Sequence, residues 1–176
     1  PVEGNGALMR TVYPGLYCKT KGAAEMQARA FAEMTHRGDK STEACVLYTR
    51  MVYLLTESVG NSRDGDVADF LHECLKGTFY DGSVEAAATY AAGGYVVDSM
   101  STAVSCLAHA QTFEEAVCAA ANLGGDTDTN AAITGGLAGA WFGFSAIPAR
   151  WVDALAPGLR KDLDILAAAA ESHRNK

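Results

Sequence analysis

The chain has 176 residues, a formal net charge of −7, 49% hydrophobic residues and 20% charged residues. These values predict one globular domain, residues 1–176, and exclude collagen-like, low-complexity and mostly disordered chains. The acidic balance, with no run of Lys and Arg, argues against a nucleic-acid-binding protein.

Apolar residues recur every three or four positions almost throughout the chain, which predicts helices. In chain order the apolar stripes are Ala23, Met26, Ala30 and Met34; Ala44, Tyr48, Met51 and Leu55; Val67, Phe70, Leu71, Cys74 and Leu75; Met100, Ala103, Val104 and Leu107; Phe113, Ala116, Val117 and Ala120; and Leu159, Leu163, Leu166 and Ala170. Between positions 47 and 55 apolar residues lie nearly all the way round, which predicts a central helix. Sustained alternation of period two is absent, so we predict an all-α fold.

Local signals at the helix ends agree with these stripes. Thr112 and Glu115 have the spacing of a capping box, Pro148 lies where a first helical turn would begin, and residues 61–65 form a turn cluster. The chain is rich in glycine, with 18 residues. Gly135, Gly139 and Gly143 lie four apart, which predicts a bare stripe where another helix can approach closely.

The pattern of cysteines and of apolar stretches predicts a cytoplasmic protein. Five cysteines are scattered, odd in number and never spaced as Cys-x-x-Cys, which disfavours a disulfide framework or a zinc site. The sequence opens without a signal-peptide pattern. Its longest apolar stretch, residues 86–110, is interrupted by Thr89, Asp98 and several Gly and Ser, which argues against a membrane span.

One segment, residues 123–130 with the sequence Leu-Gly-Gly-Asp-Thr-Asp-Thr-Asn, has the character of a site. On a regular helix Asp126 and Asp128 would diverge by about 200°. The two carboxylates can converge only if one lies in a turn before the helix, and the glycine pair 124–125 permits such a turn. Together with Thr129 they would form a set of hard oxygen ligands suited to Mg²⁺ or Mn²⁺.

Two other interpretations of this segment remain open. One Asp could simply cap the helix while the second interacts with the helix dipole. An EF-hand loop would also begin with the pattern of residues 126–130. That loop requires Gly at its sixth position and Glu at its twelfth, where this sequence has Ala131 and Leu137.

Residues 123–143 resemble the C-terminal signature of the ADP-ribosylglycohydrolase family, since the Gly-Gly-Asp-Thr-Asp-Thr run continues into Gly-Gly-Leu-Ala-Gly-Ala-Trp-Phe-Gly. Three further segments resemble the family in the same order and spacing: Gly-Asn-Gly-Ala-Leu-Met-Arg at 4–10, Thr-His at 35–36 and Gly-Tyr-Val-Val at 94–97. The resemblance covers nearly the whole chain. It implies a compact orthogonal multi-helix bundle that hydrolyses the bond between ADP-ribose and a modified protein side chain or small acceptor.

The resemblance also implies the residues of the site. Two Mg²⁺ ions, or Mn²⁺ in some members, would be held by Asp126, Asp128 and Thr129. The ADP-ribose pocket would be lined by Gly4, Asn5, Gly6, Met9, His36, Gly94 and Tyr95. Within it, backbone N–H groups around Gly4 and Gly6 would form an anion-binding nest for the diphosphate, and His36 would contact a phosphate or ribose.

Two features of the family pattern are missing from this chain. The first half of the family carries a Thr-Asp-Asp metal motif and an upstream acidic catalytic residue, and neither has a match here. The resemblance is therefore to the C-terminal part, without the N-terminal helices, and no catalytic residue is assigned. Three explanations remain: a fragment of a longer protein; one chain of a pair or homo-oligomer that completes the site; or a short protein that binds ADP-ribose or a nucleotide without hydrolysis, or serves only in assembly.

Overall fold

The computed structural model describes residues 3–57, 65–86 and 93–174. Within these ranges the regular structure is helical, which confirms the all-α prediction. The α-helices are α1 (Val12–Tyr17), α2 (Lys21–Glu33), α3 (Asp39–Glu57), α4 (Val67–Leu75), α5 (Val96–Ala108), α6 (Phe113–Asn122), α7 (Thr127–Phe142), α8 (Ala149–Asp153) and α9 (Pro157–Arg174). Short 3-10 helices span Leu8–Arg10, Asp81–Ser83 and Phe144–Ala146. Of the predicted turn at 61–65, all but Gly65 lies outside the described residues.

Helix α3 is central, as its apolar pattern predicts. It packs against α1, α2, α5 and α7. Its stripe of Ala44, Tyr48, Met51 and Leu55 is almost completely buried. The Tyr48 hydroxyl donates a hydrogen bond of 2.9 Å to the carbonyl oxygen of Ile133 in α7. This bond links α3 directly to α7.

Helices α5, α6 and α7 pack against one another on the other side of the core. The apolar stripes predicted for α4, α5 and α6 face inwards, which confirms those elements. At the start of α6 the Thr112 hydroxyl accepts from the N–H of Glu115, as a capping box requires, over 3.1 Å. The Glu115 carboxylate accepts from the N–H of Gln111 over 2.8 Å, one residue earlier than the predicted partner. Pro148 immediately precedes α8.

The buried face of α2 differs from the predicted one. Met26 and Met34 are 68% and 74% exposed. The residues that α2 buries are Ala24, Ala28 and Ala32, which share the opposite face. Because an alanine side chain is a single methyl group, this face lets α2 lie close against α3 and α1, its principal neighbours. The predicted helix is confirmed, and the predicted core face is wrong.

The glycine stripe of α7 also differs from the prediction. A Cβ atom added at Gly135 or Gly139 would meet Val117 or Phe113 of α6 at 3.6 and 3.8 Å, which is ordinary contact. Gly143 lies beyond the end of α7 with φ +84°. Among the glycines of α7, the one with the least room for a side chain is Gly136, where a Cβ would lie 2.3 Å from the Tyr48 hydroxyl oxygen. The position that requires glycine is therefore outside the predicted stripe.

Helix α9 forms where its periodicity predicts, but its leucines are not buried. Leu159, Leu163 and Leu166 are 45–50% exposed. The helix is attached through its last turn, where one Arg174 nitrogen donates to the Gly15 and Leu16 carbonyl oxygens and the Thr56 hydroxyl at 2.9–3.2 Å. Neither α9 nor any other helix in the described ranges is long and apolar enough to cross a membrane.

Arg174→Ala is expected to detach α9 locally while leaving the core folded. A hydrogen bond from a charged donor contributes about 1.5–3 kcal/mol. Three acceptors share the two protons of one nitrogen here, so the local opening free energy of α9 should fall by at least 2 kcal/mol, on the order of one such bond. Hydrogen–deuterium exchange would report this as faster exchange confined to residues 157–174. Lys161→Ala is the matched control, because Lys161 is an exposed cation of the same helix. Unchanged exchange in Arg174→Ala would contradict this account of how α9 is held.

Candidate functional site

The turn before α7 has the geometry that the sequence predicts. Gly124 and Gly125 adopt φ +78° and +66°, in the left-handed region that favours glycine. Asp126 follows at the N-cap position, and Asp128 lies in the first turn of α7. The Asp126 side chain makes no capping hydrogen bond. Capping of α7 therefore does not account for this carboxylate.

The Asp126 carboxylate is held by a residue from the other end of the chain. The side-chain amide of Asn5 donates to Asp126 Oδ2 over 2.7 Å and to the Ser99 hydroxyl over 2.9 Å. Asn5 is only 7% exposed. The hydrogen bond from Asn5, and to a lesser extent those with Thr129 and Asp128, lower the pKa of the Asp126 carboxyl, against the opposite effect of partial burial. Asp126 is thus ionised at neutral pH, beside Asp128 and Thr129.

The segment before the first 3-10 helix lies against the start of α5. The Asn5 N–H donates to the Gly94 carbonyl oxygen and the Val96 N–H donates to the Glu3 carbonyl oxygen, both over 2.9 Å. Gly4 and Tyr95 pair in an isolated antiparallel bridge. These contacts join two of the predicted pocket segments. They also engage the Asn5 N–H, so it is not available to the anion-binding nest predicted around the glycines.

His36 lies directly over the two glycines of this segment. A Cβ atom at Gly4 would lie 3.0 Å from His36 Nε2, and one at Gly6 would lie 3.1 Å from His36 Cε1. Neither glycine has a positive φ. Their role is therefore to leave room for the imidazole ring. Met9, a predicted pocket residue, is 50% exposed, and its N–H donates to the Asn5 carbonyl oxygen over 3.2 Å.

Tyr95 borders the same cluster with its ring 38% exposed. Its hydroxyl accepts a hydrogen bond of 2.8 Å from Lys40 Nζ, which raises the pKa of Lys40. The same ammonium group lies 4.8 Å from the centre of the Phe79 ring, which is 55% exposed. Lys40, Phe79 and Ser99 are site neighbours that sequence reasoning missed. No local pattern could have revealed Lys40, since its partner is 55 positions away.

The oxygen atoms at the start of α7 fit a magnesium ion only in part. Asp126, Asp128 and Thr129 supply carboxylate and hydroxyl oxygens, the hard donors that Mg²⁺ prefers, and this ion commonly keeps one or two carboxylates together with several waters. Among the described residues, however, no group of three or more His, Cys, Asp or Glu side chains is placed to hold a metal. These oxygen atoms could therefore supply part of the coordination shell of one Mg²⁺ ion. They are too few for a complete two-metal centre.

Comparison with known proteins identifies a family with this fold. The model of the family described as ADP-ribosylglycohydrolase matches residues 1–176. The ADP-ribosyl-[dinitrogen reductase] glycohydrolase of Rhodospirillum rubrum is 31% identical over 176 residues, which cover 95% of this chain and 57% of that relative. The ADP-ribosylarginine hydrolase Tri1 of Serratia proteamaculans is 45% identical over 62 residues, or 35% of this chain and 17% of that relative.

A solved structure described as an ADP-ribosylglycohydrolase-related protein complex has a similar fold. It superimposes with a TM-score of 0.83 at 30% sequence identity, covering 98% of this chain and 61% of that chain. The present chain thus spans about three fifths of the length of the Rhodospirillum relative and of the chain in the solved structure.

Proposed function

This chain belongs to the ADP-ribosylglycohydrolase family, and from that membership we propose that it binds ADP-ribose and contributes to Mg²⁺-dependent hydrolysis of the glycosidic bond between ADP-ribose and a modified protein side chain or small acceptor. The observation that carries the proposal is the convergence around Asn5 of the glycine segment, the start of α5 and the start of α7. The residues of these segments are up to 121 positions apart.

Some groups of the cluster would attract an anionic ligand, although the chain has a net charge of −7 and Asp126 and Asp128 lie at the start of α7. Helices α5 and α7 both begin here, and their N-terminal N–H groups carry partial positive charge. The Lys40 ammonium group lies beside Tyr95 on the same side. A diphosphate bound beside Gly4 and Gly6 would also be within reach of the His36 ring, which covers these glycines.

The start of α7 would serve the ribose end of the ligand. Asp126, Asp128 and Thr129 would hold Mg²⁺, and a bound divalent ion supplies Lewis-acid orientation of hydroxyl groups and activation of water. Asn5 holds the Asp126 carboxylate against the glycine segment, next to Asp128 and Thr129. The acidic residue that would act as catalytic acid or base is not assigned within this chain.

Calorimetric titration of the chain with ADP-ribose, with and without Mg²⁺, tests the proposal. We expect saturable binding that Mg²⁺ strengthens, because the metal would neutralise the two carboxylates beside the ligand. His36→Ala should weaken the binding, since it removes the ring over the glycine segment. His72→Ala is the matched control, because His72 lies on α4 and pairs with Glu85. Absence of binding under both conditions would contradict the proposal.

A second candidate function is ADP-ribose or nucleotide binding without hydrolysis. The shortage of acidic metal ligands among the described residues favours it. Release of ADP-ribose from ADP-ribosyl-arginine separates the two, and this substrate is suggested by the name of the Serratia relative. Release would support the hydrolase, and binding without release would support the binding protein. Failure of both would leave an assembly protein that kept the fold.

A further inference from the structure

A series of hydrogen bonds leads from Arg10 to the imidazole ring of His36. Arg10 lies at the end of the first 3-10 helix, just after the glycine segment. Its Nη2 donates to the Phe31 carbonyl oxygen over 3.2 Å and to the Thr35 hydroxyl. The Thr35 hydroxyl oxygen lies 2.8 Å from His36 Nδ1. The arginine thus contacts the end of α2 and the residue that precedes the histidine.

The chemistry of these groups favours one position for the proton on the His36 ring. A guanidinium group has donors and no acceptor, so Thr35 Oγ1 accepts from Arg10. The hydroxyl then has one proton of its own, and Nδ1 is the acceptor that the described contacts offer to it. Of the two neutral tautomers, this arrangement favours the one with Nδ1 unprotonated and Nε2 protonated.

The Nε2 edge of the ring is the edge that faces the glycine segment. A Cβ at Gly4 would lie 3.0 Å from Nε2 itself. The backbone N–H of His36 donates to the Ala32 carbonyl oxygen over 2.7 Å, which ties the histidine to the end of α2. The ring is therefore held from its backbone and from Nδ1, while its Nε2 edge lies against Gly4 and Gly6.

We propose that Arg10 and Thr35 are positioning residues that keep His36 in the Nε2–H tautomer, so that the ring donates a hydrogen bond to an anionic phosphate oxygen beside the glycine segment. The identity of the ligand rests on the proposed function, whereas the tautomer does not. Arg10 acts here through Thr35 and His36, without itself contacting the ligand. A phosphate oxygen accepts hydrogen bonds only, so the alternative tautomer, with its bare Nε2, would repel it.

Nitrogen-15 NMR of the imidazole rings in the free protein tests the tautomer directly. In the wild type at neutral pH we expect His36 to show a protonated Nε2 and an unprotonated Nδ1, with the signals assigned through His36→Gln. Thr35→Val removes the hydroxyl and should give a mixture of tautomers. Thr35→Ser keeps the hydroxyl and should restore the wild-type spectrum. A protonated Nδ1 in the wild type, or an unchanged spectrum in Thr35→Val, would overturn the proposal.

Titration with ADP-ribose then tests the consequence for binding. Thr35→Val should weaken binding about tenfold, the size expected from misdirecting one hydrogen bond to a charged acceptor, and Thr35→Ser should bind as the wild type. Arg10→Gln should weaken binding similarly. Arg37→Gln is its control, because it removes the same charge from an arginine that contacts the Glu33 carbonyl oxygen. Equal affinity of Thr35→Val and wild type would overturn the positioning role.

The two proposals can fail separately. If wild-type protein does not bind ADP-ribose, the proposed function is wrong, and the NMR spectrum of the free protein still decides the tautomer. If ADP-ribose binds and the Thr35→Val ring is unchanged, the positioning role is wrong and the proposed function stands.

Discussion

Asp128→Ala is expected to abolish the Mg²⁺-dependent part of ADP-ribose binding. The carboxylate of Asp128 lies in the first turn of α7, beside the Asp126 carboxylate that Asn5 holds. Loss of residues that only support a ligand reduces metal affinity by about 10–100-fold, so removing a ligand from so small a donor set should cost ~100-fold or more. Calorimetric titration of the protein with Mg²⁺ alone measures this directly.

The controls for this prediction use the same chain. Asp162→Ala removes an equal charge from the exposed helix α9 and should leave Mg²⁺ affinity unchanged. Thr129→Val removes a neutral ligand and should have a smaller effect than Asp128→Ala. Unchanged metal affinity in Asp128→Ala would show that the ligand assignment is wrong. Loss of affinity in Asp162→Ala as well would point to a general effect of net charge.

Gly136→Ala is expected to lower the free energy of unfolding by about 2 kcal/mol. The new Cβ would lie 2.3 Å from the hydroxyl oxygen of Tyr48, which is 1% exposed. Overpacking of this kind costs about 1–3 kcal/mol, and displacement of the ring would also break the hydrogen bond to Ile133. The gain in helix propensity, about 1 kcal/mol, offsets only part of this. Urea denaturation provides the measurement.

The neighbouring glycine supplies a matched control. At Gly135 the added Cβ would meet Val117 at an ordinary 3.6 Å, so Gly135→Ala should keep most of the propensity gain and be neutral or stabilising. Combining Gly136→Ala with Tyr48→Phe should recover part of the lost stability, because the clashing oxygen is removed. If Gly135→Ala and Gly136→Ala had equal stabilities, the close approach of Tyr48 would not be what requires glycine.

Some features of the fold are visible in the sequence because they are local. The burial of α3 could be predicted, because its own apolar side chains occupy nearly its whole circumference. Neighbouring helices therefore pack against it from several sides. The turn before α7 could also be predicted, because two consecutive glycines interrupt the helical pattern and permit positive φ directly before Asp126. In both cases the residues that carry the signal are adjacent in the chain.

Other faces could not be predicted from their own residues. In α2 the methionines are more hydrophobic than the alanines, so periodicity favours burial of Met26 and Met34. The structure buries the alanines, because α3 and α1 require close approach and a single methyl group permits it. In α9 the leucine stripe predicts a helix correctly. Whether the leucines are buried depends on which other helices pack against them, and the structure leaves them about half exposed.

By itself the sequence determined that the chain is helical, where most helices run, and that a glycine segment, a histidine, a Gly-Tyr pair and an Asp-Thr-Asp-Thr motif occur in a family-like order. Only the tertiary structure decided that Asn5 holds Asp126 and that Arg10 and Thr35 hold His36. The physical reason is the range of the interactions. Helix periodicity and turn geometry act over a few residues, whereas the hydrogen bond between Asn5 and Asp126 joins residues 121 positions apart and depends on where every intervening helix packs.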